Sequence, residues 1–136
     1  MLRTIIIALL LLAALSVDNT SAQTSVPTGL GEAGSWVYPC ELFEEQASGQ
    51  ALKAGNQRVL AALCQGLFSG VMSVNYISPP YLPFCERDDA TQLEYVRTFL
   101  SFMTANPSFT EKPLGLALLV ALGRAYPKVA CMTAAP

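Results

Sequence analysis

The sequence has no histidine, and charged side chains are few, with 8 lysines and arginines against 10 aspartates and glutamates in 136 residues. Histidine is the commonest general base and the commonest metal ligand in proteins, so its absence argues against most hydrolytic and metal-dependent mechanisms. A net charge of −2 is too small to predict nucleic acid or an anionic membrane as a partner. We therefore expect a binding or inhibitor domain that is not an enzyme and uses no cofactor or metal.

Only the amino terminus carries a long uninterrupted apolar run. Arg3 provides a positive start, Ile5 to Leu15 is apolar throughout, and Thr20-Ser21-Ala22 supplies the small residues of a cleavage site before Gln23. A run of about 11 residues is shorter than the roughly 20 that a membrane anchor needs. We therefore predict a cleavable signal peptide over residues 1–22, a soluble periplasmic product and no membrane partner.

Composition divides the rest of the chain into two parts. Residues 23–35 are rich in Gly, Ser, Thr and Pro, and this composition predicts a flexible lead-in. Residues 36–131 have apolar positions at helical spacing, with no strand-like alternation. The pattern predicts an all-α domain, a small four-helix up-and-down bundle stapled by disulfides.

Four cysteines, Cys40, Cys64, Cys85 and Cys131, lie beyond the signal. An even number in an exported chain indicates disulfides, and four cysteines allow three pairings. Cys40 and Cys64 are level if the first two helices are antiparallel, and Cys85 and Cys131 fall at the same end of the last two. Cys40–Cys64 and Cys85–Cys131 are therefore the favoured pairs. A zinc site is disfavoured because no close C-x-x-C pair is present.

The predicted helices run from about Trp36 or Pro39 to Ala47, Gln57 to Tyr76, Ala90 to Ala105 and Leu114 to Tyr126. Gly66 and Gly70 share one face of the second helix, and each lowers helix propensity by about 1 kcal/mol. Close approach of another helix would compensate for that cost. The fourth helix is apolar almost all round, so we expect it to be the most buried.

Polar residues near the predicted helix starts are interpreted as structural. Asp89 with Gln92 resembles a capping box for the third helix, and Ser108 or Thr110 is expected to cap the fourth. The neighbouring carboxylates Glu44-Glu45 and Asp88-Asp89 are not expected to be catalytic.

Two loops are candidates for binding a partner protein. Residues 77–83 contain three prolines and present Tyr81 and Leu82, so this segment would lose little entropy on docking. Residues 106–112 present Phe109 with Glu111 and Lys112, where an aromatic among polar residues resembles a binding hot spot. Packing of Phe109 and Leu82 on their own core is an equally good interpretation.

Several short motifs resemble one family in their order and spacing. They are Cys40 with Leu42, Cys64-Gln65-Gly66-Leu67-Phe68-Ser69-Gly70, Phe84-Cys85, Thr91-Gln92, Phe99-Leu100, Asn106-Pro107 and the run from Leu119 to Pro127 before Cys131. This pattern resembles the Rap/Tai family of periplasmic immunity proteins of type VI secretion systems. The sequence departs from that pattern at Glu86-Arg87, where the family has proline, and in its delayed Cys131.

The resemblance implies a small helical protein, often a homodimer, that sterically blocks a secreted peptidoglycan-degrading amidase toxin. The alternative is a periplasmic chaperone of the acid-stress type, which exposes apolar surface when its carboxylates are protonated, or another small disulfide-bonded binding protein.

Overall fold

The computed structural model describes residues 31–77, 84, 85, 87 and 89–128. Four α-helices make up most of this part of the chain: α1 Val37–Ala47, α2 Gly55–Ile77, α3 Gln92–Ala105 and α4 Leu114–Ala125. Short 3-10 helices at Ala33–Trp36 and Pro107–Phe109 precede α1 and α4. The described residues form no strand beyond two isolated bridges, so the predicted all-α class is confirmed.

A disulfide joins α1 to α2. Cys40 and Cys64 form the predicted bridge, and both cysteines are completely buried. Closing a loop of 24 residues in the unfolded chain stabilises the fold by about 3 kcal/mol. Cys85 is also disulfide-bonded, while Cys131, its predicted partner, lies outside the described residues.

The core is centred on α3, which packs against both α1 and α4. Its buried side chains are Tyr95, Val96, Phe99, Leu100, Phe102 and Met103. Phe68 of α2 meets Phe99 edge-on, and Tyr95 meets Tyr126 in the same way. These aromatic pairs add to the area buried between the helices.

The cap of α3 differs from the predicted one. Thr91 is the N-cap, its side chain accepts from the Glu94 amide, and the Glu94 carboxylate accepts from the Thr91 amide. The prediction of Asp89 with Gln92 was wrong because a stronger capping box of the same spacing begins two residues later. Asp89 instead forms an ion pair with Arg87.

The fourth helix is less buried than predicted. α4 buries Ala117, Leu118, Ala121 and Leu122, while Leu116 and Leu119 are exposed. Its N-cap is Pro113, without a side-chain cap, so the expected cap by Ser108 or Thr110 was also wrong. An apolar composition all round α4 therefore does not mean that the fold covers every side of it.

Residues 31–35, which composition assigns to the flexible lead-in, belong to the fold. Glu32 forms a bridge with Pro113, and Ala33 is completely buried. Trp36 packs into the same core cluster. The amino-terminal end of the domain is thus fixed against the segment that leads into α4.

Candidate partner-binding surfaces

The backbone of the turn between α3 and α4 is hydrogen-bonded to the first described residues of the domain, 31–34. We call residues 107–113 the clasped turn. The Ala33 amide donates to the Lys112 carbonyl and the Gly34 amide to the Thr110 carbonyl, both at 2.9 Å, while the Leu114 amide donates to the Gly31 carbonyl at 2.8 Å. These hydrogen bonds fix the backbone of an exposed turn that would otherwise have several conformations.

Gly34 permits this close contact. A Cβ atom at position 34 would lie 3.0 Å from the Thr110 carbonyl oxygen and 3.1 Å from the Thr110 Cβ atom. Real Cβ atoms are rarely this close to another heavy atom. The Thr110 carbonyl oxygen is a backbone atom and cannot move aside as the end of a flexible side chain could. Glycine therefore fits here without a shift, whereas a larger residue would require Thr110 to move by a few tenths of an ångström.

Phe109 anchors the clasped turn from within. Its ring packs edge-on against Phe102 at a centroid distance of 4.8 Å, and the side chain is half-buried. The Arg124 guanidinium lies 5.6 Å from the centroid of the Phe102 ring. This packing favours the interpretation of Phe109 as part of its own core over that of a free contact residue.

Glu111 and Lys112, the other candidates on the clasped turn, are exposed. The Lys112 carbonyl is held by the Ala33 amide, so its backbone is fixed while its side chain faces water. Tyr81 and Leu82 lie outside the described residues. Of the five candidate residues, the structure thus places three on one turn and exposes two of them.

A groove between α2 and α4 has no counterpart in the sequence-based predictions. It has a volume of about 530 Å³ and only apolar residues line it: Gly66, Leu67, Gly70, Val71, Val74, Phe84, Gly115, Leu118, Leu119 and Leu122. Phe84 is placed at the carboxyl end of α4 by its bridge with Pro127. A groove of this chemistry suits an apolar side chain or the apolar face of a helix.

The two helix glycines line this groove instead of a tight helix contact. A Cβ atom at Gly66 or Gly70 would meet nothing within 4 Å. The prediction that another helix of the domain approaches them closely was therefore wrong. Among the residues that the structure describes, none packs closely enough on Gly66 or Gly70 to compensate for their cost to helix propensity.

Exposed apolar side chains continue the groove surface along α2. Val59, Leu63 and Val74 are 49%, 37% and 52% exposed, and they share a helical face with the two glycines. On α4, Leu116 is 47% and Leu119 37% exposed. We call this surface the α2–α4 face; it comprises Val59, Leu63, Gly66, Gly70, Val74, Gly115, Leu116 and Leu119. No charged residue occurs in the sequence between Val59 and Ile77 or between Leu114 and Gly123.

The charged pairs of the described residues lie on the surface. Arg97 donates to Glu44 at 2.7 Å, and Arg87 donates to both carboxylate oxygens of Asp89. The hydrogen bond from Arg87 lowers the pKa of Asp89 below its ordinary value. Exposed pairs of this kind contribute little to stability. Asp88, the neighbour of Asp89, lies outside the described residues.

Neither a metal cluster nor a membrane-spanning helix occurs in the part of the chain that the structure describes. In comparisons with protein-family models, characterised proteins and solved structures, the chain matches none of them.

Proposed function

We propose that this chain is a periplasmic immunity protein that binds and sterically inhibits a peptidoglycan amidase toxin of a type VI secretion system. The motif pattern, the export signal and the cysteine pairing support this proposal, and a disulfide suits an oxidising compartment. The proposed scaffold is the four-helix up-and-down bundle, with a second disulfide between Cys85 and Cys131.

The clasped turn is the observation that carries the proposal. A loop that blocks an active site binds best when its backbone is already fixed, because little conformational entropy is then lost on docking. The hydrogen bonds from residues 33 and 34, together with the Phe109 ring on Phe102, fix this turn. It projects Glu111 and Lys112 into water, where side chains of opposite charge can select a partner and set its orientation.

Reversal of the two charges tests the proposal. If a gene beside its own encodes an amidase, that enzyme is purified and mixed with the mature protein, and hydrolysis of peptidoglycan is followed. Wild-type protein should abolish hydrolysis at equimolar concentration. The E111K/K112E variant should bind the amidase at least 10-fold more weakly, with unchanged thermal stability, because neither side chain packs in the core.

The matched control is E45K, which changes one exposed charge on α1 and leaves the clasped turn intact. It should inhibit like the wild type. Lack of inhibition by wild-type protein would contradict the proposed function, and equal inhibition by E111K/K112E would remove the clasped turn from the interface.

The exposed apolar α2–α4 face favours a second candidate, a periplasmic chaperone of the acid-stress type, because chaperones bind unfolded chains through apolar surface. Suppression of the aggregation of an unrelated unfolded periplasmic protein at acidic pH, without inhibition of the amidase, would support this function over immunity.

A further inference from the structure

The groove between α2 and α4 has the size of a small-molecule site. Its volume of about 530 Å³ lies within the roughly 300–1,000 Å³ of ligand pockets, which usually combine apolar walls with a few polar groups. Here every lining residue is apolar, and the backbone groups of both helices are bonded within the helix. An enclosed polar group of a ligand would find no hydrogen-bonding partner. The part of a ligand that enters the groove is therefore hydrocarbon.

Glycines on both helices leave the groove open along its length. Gly66 and Gly70 lie on successive turns of α2, Gly115 lies on α4, and a Cβ atom at each would meet nothing within 4 Å. One apolar side chain of a protein partner would fill only part of this space. An unbranched alkyl chain can fill it from end to end.

The length of the groove sets the length of the alkyl chain. From Gly66 to Val74 the rise of α2 is about 12 Å, at 1.5 Å per residue. Carbon–carbon bonds of about 1.5 Å advance an extended alkyl chain by about 1.3 Å per carbon. About nine or ten carbons therefore span the groove, and further methylenes extend beyond it into water.

The two ends of the groove differ in their charges. Phe84 borders the end near the carboxyl terminus of α4, where it forms a bridge with Pro127. The arginines near that end already have partners, an aspartate for Arg87 and an aromatic ring for Arg124. The opposite end is therefore the better place for an anionic head group.

At this opposite end, α4 begins close to an exposed lysine. Lys112 lies three residues before Gly115, and the ion pairs of the described residues do not involve it. α4 also begins without a side-chain cap, and the positive end of a helix dipole favours an anion. The flexible four-carbon stem of a lysine can bring its ammonium group to a carboxylate there. The exposed neighbour Glu111 would repel the same carboxylate, so the two residues form a matched pair for a test.

We infer that the groove binds a saturated fatty acid of about ten carbons, with its alkyl chain along Gly66 and Gly70 and its carboxylate beside Lys112. Removal of the alkyl chain from water provides the affinity, and the charged head remains at the surface. Binding of the fatty acid does not require the amidase, so this inference does not rest on the proposed function.

Isothermal titration calorimetry of the oxidised mature protein with the series from hexanoate to tetradecanoate tests the inference. Decanoate should bind, and each methylene up to ten carbons should tighten binding about 2- to 4-fold. Beyond about twelve carbons the affinity should level off, because the additional methylenes remain in water. Failure of decanoate to bind at 1 mM overturns the inference, and so does an affinity that rises by the same factor as far as tetradecanoate.

Filling the groove tests its location. G70L places a side chain in the open space of the groove, so decanoate should bind at least 10-fold more weakly with no loss of melting temperature. The matched control is G55L, the same substitution at the first residue of α2, outside the groove lining, where a Cβ atom also meets nothing within 4 Å. G55L should bind decanoate like the wild type. Unchanged binding by G70L, or an equal loss in both variants, overturns the assignment to this groove.

Removal of single charges tests the orientation of the fatty acid. K112Q should bind decanoate at least 3-fold more weakly and bind the uncharged decyl maltoside like the wild type. E111Q should bind decanoate at least as tightly as the wild type. Unchanged binding of decanoate by K112Q, or an equal loss for both ligands, overturns the placement of the carboxylate.

A protein that binds an apolar helix or an unfolded chain but not decanoate also overturns the inference. All of these measurements are made without the amidase. Their failure would therefore leave the proposed inhibition intact, and a failure of inhibition would leave the fatty-acid site intact.

Discussion

The two sides of α2 are both apolar, yet only one is buried. The inner side carries Ala61, Cys64 and Phe68, each completely buried. The outer side carries Leu63, Gly66 and Gly70, all exposed. The comparison teaches that apolar spacing identifies a helix but does not say which of its sides is buried. The buried side is the one whose residues meet specific partners on other helices, as Cys64 meets Cys40 and Phe68 meets Phe99.

Truncation of one large side chain on each side should give the largest contrast. Phe68 lies in the core against Phe99, so F68A should lower the free energy of unfolding by about 3–5 kcal/mol. L63A should lower it by less than about 0.5 kcal/mol, because Leu63 is exposed. Urea denaturation at low micromolar concentration measures both, and equal losses would contradict the distinction between the two sides.

The inner side also carries the disulfide. C40A/C64A should lower the free energy of unfolding by about 3 kcal/mol, since the unfolded chain regains the freedom of a 24-residue loop. Urea denaturation of this variant beside the wild type, both under non-reducing conditions, measures the effect. A loss below about 1 kcal/mol would mean that the packing of α1 on α2 holds the two helices together without help from the disulfide.

Glycines permit a finer version of the comparison. Gly34 is packed against Thr110, so G34A should destabilise the domain by about 1–3 kcal/mol through overpacking. Thermal unfolding followed by circular dichroism measures it. A neutral G34A would show that the clasped turn can move away from residues 31–34 at no cost.

Gly70, by contrast, borders open space. G70A should stabilise the monomer by up to about 1 kcal/mol, because alanine is the better helix former and its Cβ meets nothing within 4 Å. Thermal unfolding followed by circular dichroism measures the change, and a destabilised G70A would contradict the open space at this position.

Helix positions were predictable because they depend on local signals. Asn106-Pro107 and the proline-rich segment after Ile77 end helices whatever the tertiary structure is, and α1, α3 and α4 lie within about two residues of the predicted bounds. The Cys40–Cys64 bridge followed from the positions of two neighbouring helices.

The α2–α4 groove was not predictable by the same reasoning. The sequence shows that Gly66, Gly70 and Val74 share a face, but the cost of two glycines to helix propensity predicts that another helix packs on it. Ala61, Cys64 and Phe68 share a second apolar face of α2. Only the disulfide could have identified this face as the one that packs on the rest of the domain. Cys64 must face α1 to reach Cys40, which turns the glycines outwards.

The capping error has a similar cause. Asp89 with Gln92 and Thr91 with Glu94 have the same spacing, and both satisfy the capping pattern. Only the second pair forms reciprocal hydrogen bonds in the structure. A pattern that fits twice within three residues requires the backbone geometry to decide between the two positions.

The hydrogen bonds between residues 31–34 and 110–114 have a consequence for the order of folding. They join the first described residues of the helical domain to the segment that leads into α4, which lies far from them in the sequence. Contacts of long sequence separation form late, since the intervening chain must first be ordered. For a chain that emerges amino terminus first, residues 31–34 must wait until α1, α2 and α3 have been synthesised. The clasped turn is therefore completed only after α3, so the proposed inhibitory surface is absent from chains that end before residue 114.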